Sequence, residues 1–282
     1  MKLRAELARP ARSVSVRRGG VVPRISGIIA VAVFTAGPAA YAQPDYEGLD
    51  CLAPPYDTPA TERQRQAASL VQWLRIALER YGRLGQILDD DPPEVCLAER
   101  LFGIQGYYDP EAGRIVLRDD LPIPLMRAVA IHELRHVHQA ELGTCPGPTL
   151  SMQATARVTL AMEADASAVT LAIAWQLRAE GQAEVWNALS DWPSQAPLAQ
   201  AFAAEMAESG DLALATAAAF AAWYESDWLR ESYYIAACSA YLDRQDRSHA
   251  LPRYGSIGQE HLETLCRLPG GETYPCEEPA GE

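Results

Sequence analysis

Lysine occurs once in the 282 residues, at position 2, so arginine carries every other fixed positive side-chain charge. Acids outnumber bases 37 to 24, giving a formal net charge of −13. A balance so acidic argues against polyanion partners, nucleic acid above all, which need a basic surface. Histidine is also scarce, five in all, so a motif needing two of them at fixed spacing is seldom met by chance. None of the six cysteines stands in a Cys-x-x-Cys pair, which speaks against a cysteine zinc site. Charge-free runs are short: even 159–174 contains Glu163 and Asp165, so no stable membrane span is expected once the leader is removed. No internal repeat is visible.

What is present begins with an address. Lys2, Arg4, Arg9, Arg12, Arg17, Arg18 and Arg24 precede an apolar run over 25–36, and Ala40-Tyr41-Ala42 follows. A basic region, an apolar run of about a dozen residues and an A-x-A site make a secretory signal peptide cleaved after Ala42. Export to a bacterial periplasm or the medium follows, by the general route; Arg17-Arg18 fits the twin-arginine pattern poorly. Losing seven bases and the single acid Glu6 with residues 1–42 takes the formal charge from −13 to −19. All six cysteines (Cys51, Cys96, Cys145, Cys238, Cys266 and Cys276) lie beyond the leader. In an exported chain an even number reads as three disulfides, with Cys266 and Cys276 near enough to staple the tail.

Periodicity predicts a helix over 61–88, stopped by Asp89-Asp-Asp-Pro-Pro93, then a hairpin pairing 106–108 with 114–117 across an Asp-Pro-Glu-Ala-Gly turn. A helix over 125–142 follows, then a long Ala-rich one over 149–180 with Gly181 past its end. Shorter helices are expected over 183–191 and 197–208, a second long one over 211–247, and a last short one near 259–268. The fold class is mainly α (α+β): a helical domain with a small β element.

The most informative stretch is His132-Glu133-Leu134-Arg135-His136. On a helix, residues four apart share a face about one turn apart, so the two imidazoles can close on one Zn²⁺. Glu133 reaches the same side and can take a proton from water held there. A catalytic zinc takes three protein ligands and leaves one position open. A histidine six residues beyond His136 is excluded, since Leu142 stands there and Gln139 replaces the glycine that pattern needs. His138 lies about 160° round the helix from His136, on the side of Arg127 and Arg135, and reads as supporting or solvent-facing. Glu163 sits on a face of small side chains, Ala156, Thr159, Ala166, Ser167 and Thr170, which lets two helices approach closely enough for a carboxylate to reach metal. The metal ligands are therefore expected to be His132, His136 and Glu163. Asp165 points away from Glu163 and reads either as orienting a ligand histidine or as paired with Arg157 or another arginine.

An HExxH helix followed by a glutamate on the next helix resembles the zincin metallopeptidases, in their glutamate-ligand (gluzincin-like) branch, close to bacterial metallopeptidases of undefined role. The likeness covers about 102–175 and, more loosely, the region of Trp223-Tyr-Glu-Ser-Asp-Trp-Leu-Arg230. It implies zinc, Glu133 as general base, hydrolysis of peptide bonds in a peptide or protein substrate, and an edge strand before the helix that pairs with extended substrate, a place taken by 114–117. Some members carry Asp four residues after the ligand glutamate, where this chain has Ser167. Such sites add a group that stabilises negative charge in the transition state. Tyr234 and Arg230, four apart on one helix, are the first candidates, ahead of Tyr224, His249, Tyr254 and His261. The expected division is a leader over 1–42, a helical lead-in over 43–101, a zincin-like core over 102–250 and a disulfide-stapled tail over 251–282. Rival readings are a non-catalytic envelope protein using the scaffold as a binding module, and a zinc hydrolase of non-peptide amides.

Overall fold

The computed structural model describes residues 46–279; the expected leader over 1–42 lies outside the described residues. The chain is mainly helical with a small sheet, the class expected from sequence. In order come β1 (Tyr46–Glu47), β2 (Asp50–Leu52), α1 (Glu62–Leu78), α2 (Gly82–Asp90), β3 (Glu94–Ala98), β4 (Arg100–Leu101), β5 (Gly106–Asp109) and β6 (Arg114–Arg118). Then follow α3 (Ile123–Glu141), α4 (Met152–Ala179), α5 (Glu184–Asp191), α6 (Ala196–Glu208), α7 (Leu212–Glu225), α8 (Asp227–Ser248) and α9 (Glu260–Leu265).

Two expected helices are each broken in two. The first divides into α1 and α2 at Gly82, whose φ of +53° favours glycine and whose missing Cβ would sit 2.8 Å from the Pro269 carbonyl oxygen. The second divides into α7 and α8 at Ser226, which leaves the helical region at ψ 102° and caps α8 by accepting from the Leu229 N–H at 3.3 Å. Apolar periodicity runs through both breaks, which is why they are silent in the pattern.

The hairpin forms as expected, with Gly106 opposite Leu117 and Asp109 opposite Arg114. Its turn is held by Asp109 Oδ1, which accepts from the Glu111 and Ala112 N–H groups at 3.1 Å each. Sheet order corrects one expectation. The strands run β2-β3-β6-β5, with β3 parallel to β6 and the other pairs antiparallel. β3, which sequence reading left unassigned, covers the other side of β6, so the edge facing the helices is β5 and not 114–117. The Arg118 N–H donates to the Gln105 carbonyl at 3.0 Å; alternation along the strand then turns the backbone groups of Gly106 and Tyr108 away from β6.

α4 is the spine, packed against α3, α5, α7 and α8. It is long and apolar enough to cross a membrane by length and composition alone, but 83% of its most apolar stretch is buried inside the fold. Ser151 caps its start by accepting from the Ala154 N–H at 3.1 Å. Of the three disulfides expected, two are present: Cys51–Cys96, joining opposed residues of β2 and β3, and Cys266–Cys276 in the tail. Cys145 and Cys238 are free thiols.

Gly106 lets the edge strand lie against α3. A Cβ there would meet Leu117 Cδ2 at 2.7 Å, Val129 Cγ1 at 2.8 Å and the Val116 carbonyl oxygen at 3.0 Å. We expect Gly106→Ala to lower stability by about 1–3 kcal/mol through overpacking, read as a lower urea midpoint at unchanged slope. Gly270→Ala, where nothing lies within 4 Å, should leave the midpoint unmoved.

Candidate metal centre

α3 and α4 bring three donor atoms to one point. His132 Nε2 lies 3.1 Å from His136 Nε2 and 3.3 Å from Glu163 Oε2, and His136 Nε2 lies 3.4 Å from Glu163 Oε1. Ligands at about 2.0–2.1 Å from a tetrahedral ion stand about 3.3–3.4 Å apart, so two imidazole nitrogens and a carboxylate are already spaced to hold Zn²⁺. The three expected ligands are thus brought together. Cys51, Cys96 and Glu94 also cluster, but both thiols are spent in a disulfide.

Glu133 is buried beside this point at 5% exposure. Burial pushes its carboxyl pKa up; the two histidines pull it back, Glu163 pushes further, and a hydrogen bond from the Tyr108 backbone N–H lowers it. That hydrogen bond ties the general-base candidate directly to the edge strand. For Glu163, burial acts upward, but the charges and hydrogen bonds of His136 and His132 outweigh it and hold the carboxyl well below its ordinary range. For His136, burial acts downward, yet Glu163 and then Glu133 outweigh it and hold the imidazole at about 9.

His136 is also held from behind. Gln139 donates through Nε2 to the Met162 carbonyl at 2.9 Å and to Asp165 Oδ2 at 2.6 Å. Both partners are acceptors, so the amide orientation is set and its Oε1 is left to accept from His136 Nδ1 at 2.7 Å. The N–H is thereby kept on Nδ1 and Nε2 is aimed at the cluster. Asp165 in turn is gripped by Arg135, with Nε at 2.7 Å and Nη2 at 3.0 Å, and by the Tyr274 hydroxyl at 2.7 Å. The two readings of Asp165 are thus combined: it pairs with an arginine, and through Gln139 it orients His136, one of the expected ligands. The arginine is Arg135; Arg157 bonds Glu278 instead. His138 is buried and accepts from Arg135 Nη1 at 2.8 Å, and burial followed by the Arg135 charge lowers its pKa to about 4. It stands outside the donor cluster.

The cluster lies in a cleft of about 870 Å³ between the β5 edge on one side and, on the other, the α5–α6 connection and the start of α8. The small-residue face of α4 forms part of its lining through Thr159, Ser167 and Thr170. Tyr233 is the residue sequence reading missed. It lines the cleft and hydrogen-bonds the Glu163 side chain; the Glu163 charge, then burial, then Glu133 raise its phenol pKa well above the ordinary value. Tyr234, one residue on, turns outward at 46% exposure and bonds Cys238. Arg230 pairs with Asp227, His249 ends α8, Tyr254 is exposed, and neither Tyr224 nor His261 lines the cleft. The inward face of α8, Leu229, Tyr233, Ala237 and Tyr241 at every fourth position, carried the signal that would have picked Tyr233.

A family model described as "Putative metallopeptidase family (DUF6782)" matches residues 40–276. No curated protein and no solved structure is significantly similar to the chain.

Gln139→Leu should remove the brace behind His136 and weaken Zn²⁺ binding about 10–100-fold, measured by competition with a chromogenic chelator. Unchanged affinity would contradict the brace. Because the free His136 imidazole titrates at about 9, it carries a proton at pH 7 that a metal must displace. Calorimetry in buffers of different ionisation enthalpy should show a proton released from His136 on Zn²⁺ binding at pH 7. That release should fade, and affinity stop rising, as pH passes about 9.

Proposed function

The chain belongs to this metallopeptidase family, and on that premise we propose that it is a zinc-dependent peptidase of the glutamate-ligand zincin type, exported from the cytoplasm. The observation that carries the reading is the convergence of His132 Nε2, His136 Nε2 and Glu163 at 3.1–3.4 Å, with Glu133 buried beside them. His132, His136 and Glu163 would hold Zn²⁺, which would supply Lewis-acid chemistry there, acidifying water and polarising a carbonyl.

The side chains then have separate tasks. Glu133 takes a proton from the attacking water as its oxygen bonds to the carbonyl carbon. It returns that proton to the amide nitrogen as the C–N bond breaks. Tyr233, kept protonated by the two nearby carboxylates and burial, donates a hydrogen bond to charge developing on the carbonyl oxygen. In the resting site it bonds Glu163. The Gly106 backbone and the Tyr108 carbonyl are offered to an extended peptide laid along β5, while the Tyr108 N–H, bonded to Glu133, sets strand and base in register. Export is supported by the basic-then-apolar N-terminus, by the two disulfides and by a family match that starts at residue 40, next to the A-x-A site.

Glu133→Gln keeps the shape and removes the base. We expect purified wild type to hold about one equivalent of zinc, the variant to hold the same, and hydrolysis of a generic peptide mixture to drop by about 10²–10⁴-fold. Cleavage that survives the substitution, or a wild type that takes up no metal, would sink the reading.

A further inference from the structure

Among the described residues, every charged side chain lining the cleft belongs to His132, Glu133, His136 and Glu163, although the chain carries 37 acids and 24 bases. No arginine reaches the walls, and no acid beyond the cluster does. The carboxylates of Glu133 and Glu163 would balance a divalent cation, leaving the working cleft formally neutral. Large apolar side chains from α4, from α5 and the turn after it, and from α8 also line the cleft: Met162 and Leu189 are buried, Trp192 is half-buried, and Trp228 stands 64% exposed. Polar groups between them, such as Ser194 and Gln195, are uncharged.

We propose that the cleft takes an internal, uncharged stretch of an extended polypeptide with a large apolar or aromatic side chain beside the scissile bond, and cuts within the chain instead of trimming its ends. This rests on the peptidase reading and names its substrate class. A terminal carboxylate brought into the cleft needs an arginine fork or an equivalent cation, and a terminal ammonium needs an acid not already committed to metal or proton transfer. Neither is present. A charged side chain would be desolvated against tryptophan and leucine with no partner, which disfavours it, whereas an aromatic ring finds two indoles to pack on. One wall thus reads backbone, through β5, and the other reads side chains.

The test separates recognition from turnover. Zinc-loaded Glu133→Gln protein is titrated with end-blocked octapeptides that differ only at one central residue, Phe, Ala, Glu or Arg, and with a Phe tetrapeptide whose ends are blocked or free. Binding is followed by tryptophan fluorescence and calorimetry, and wild-type products are mapped by mass spectrometry. The Phe octapeptide should bind at least about tenfold tighter than the Glu and Arg forms, and the blocked tetrapeptide at least about tenfold tighter than the free one. Trp192→Ala/Trp228→Ala should erase the advantage of Phe over Ala, and wild type should release internal fragments. Equal or tighter binding of charged peptides or free ends, no binding of the blocked Phe peptide, or ladders of single terminal residues would overturn the proposal. Selective binding by the variant with no cleavage by metal-loaded wild type would instead support the recognition and overturn the peptidase reading.

Discussion

Arg135 and Asp165, both at 0% exposure, form an ion pair on which the geometry of the site depends. Withdrawing two charges from water costs several kcal/mol per ion and is offset only when each remaining donor and acceptor is satisfied. Here they are met from several directions. Asp165 accepts from Arg135, Gln139 and Tyr274, and the Arg135 guanidinium also donates to His138 Nδ1 and to the Leu265 and Arg267 carbonyls. The pair therefore fixes α3, α4 and the tail in one register. Asp165 is two residues past Glu163, about 200° round the helix. Anchoring one inside sends the other to the cleft. Arg135 does the same for its neighbour His136.

Small side chains make that register reachable. Ala164, Ala168 and Ala172 of α4 are buried at 0–2% exposure and allow close helix packing. On the cleft side, two threonine hydroxyls of α4 are satisfied by their own helix: Thr159 donates to the Thr155 carbonyl at 3.0 Å and Thr170 to that of Ala166 at 2.7 Å. The helix can then line a cleft with polar atoms that ask nothing of a ligand. Its acids are accounted for separately, Glu163 by the imidazoles and Tyr233, and Asp165 by the buried network.

Local spacing made the donor cluster readable, because HExxH geometry is a property of a single helix and the small-residue face around Glu163 is visible in one turn either side. What escaped sequence reading was non-local. The edge strand was assigned to 114–117 because nothing in the hairpin says that Glu94–Ala98 will pair with its far side. Spacing of four from Arg230 points to Tyr234, and that spacing does not tell which face of α8 turns inward once the helix starts anew after Ser226. Counted from Leu229 instead, the inward positions fall on Tyr233, Ala237 and Tyr241. Three disulfides were expected from an even count, but pairing needs proximity that the count does not carry, and Cys145 and Cys238 stay apart as thiols.

The tail shows how a segment far from the chemistry enters it. Cys266–Cys276 closes a loop of sequence separation 10 that presents Tyr274 to Asp165, while Leu265 and Arg267 at its start present carbonyls to Arg135. The Tyr274 N–H donates to the Cys266 carbonyl at 3.1 Å, so the crosslink and the hydrogen-bonded turn act on the same residues. A crosslink of this kind chiefly limits the freedom of the unfolded chain, and here that restriction falls on groups that would otherwise leave a guanidinium and a carboxylate buried without their full set of partners. Because Asp165 holds Gln139 and Gln139 holds His136, the order imposed on the tail is carried from Tyr274 through Asp165 and Gln139 to His136 in the donor cluster. The geometry of the donor cluster is thus a property of α3, α4 and the tail together, and the HExxH helix alone would not specify it.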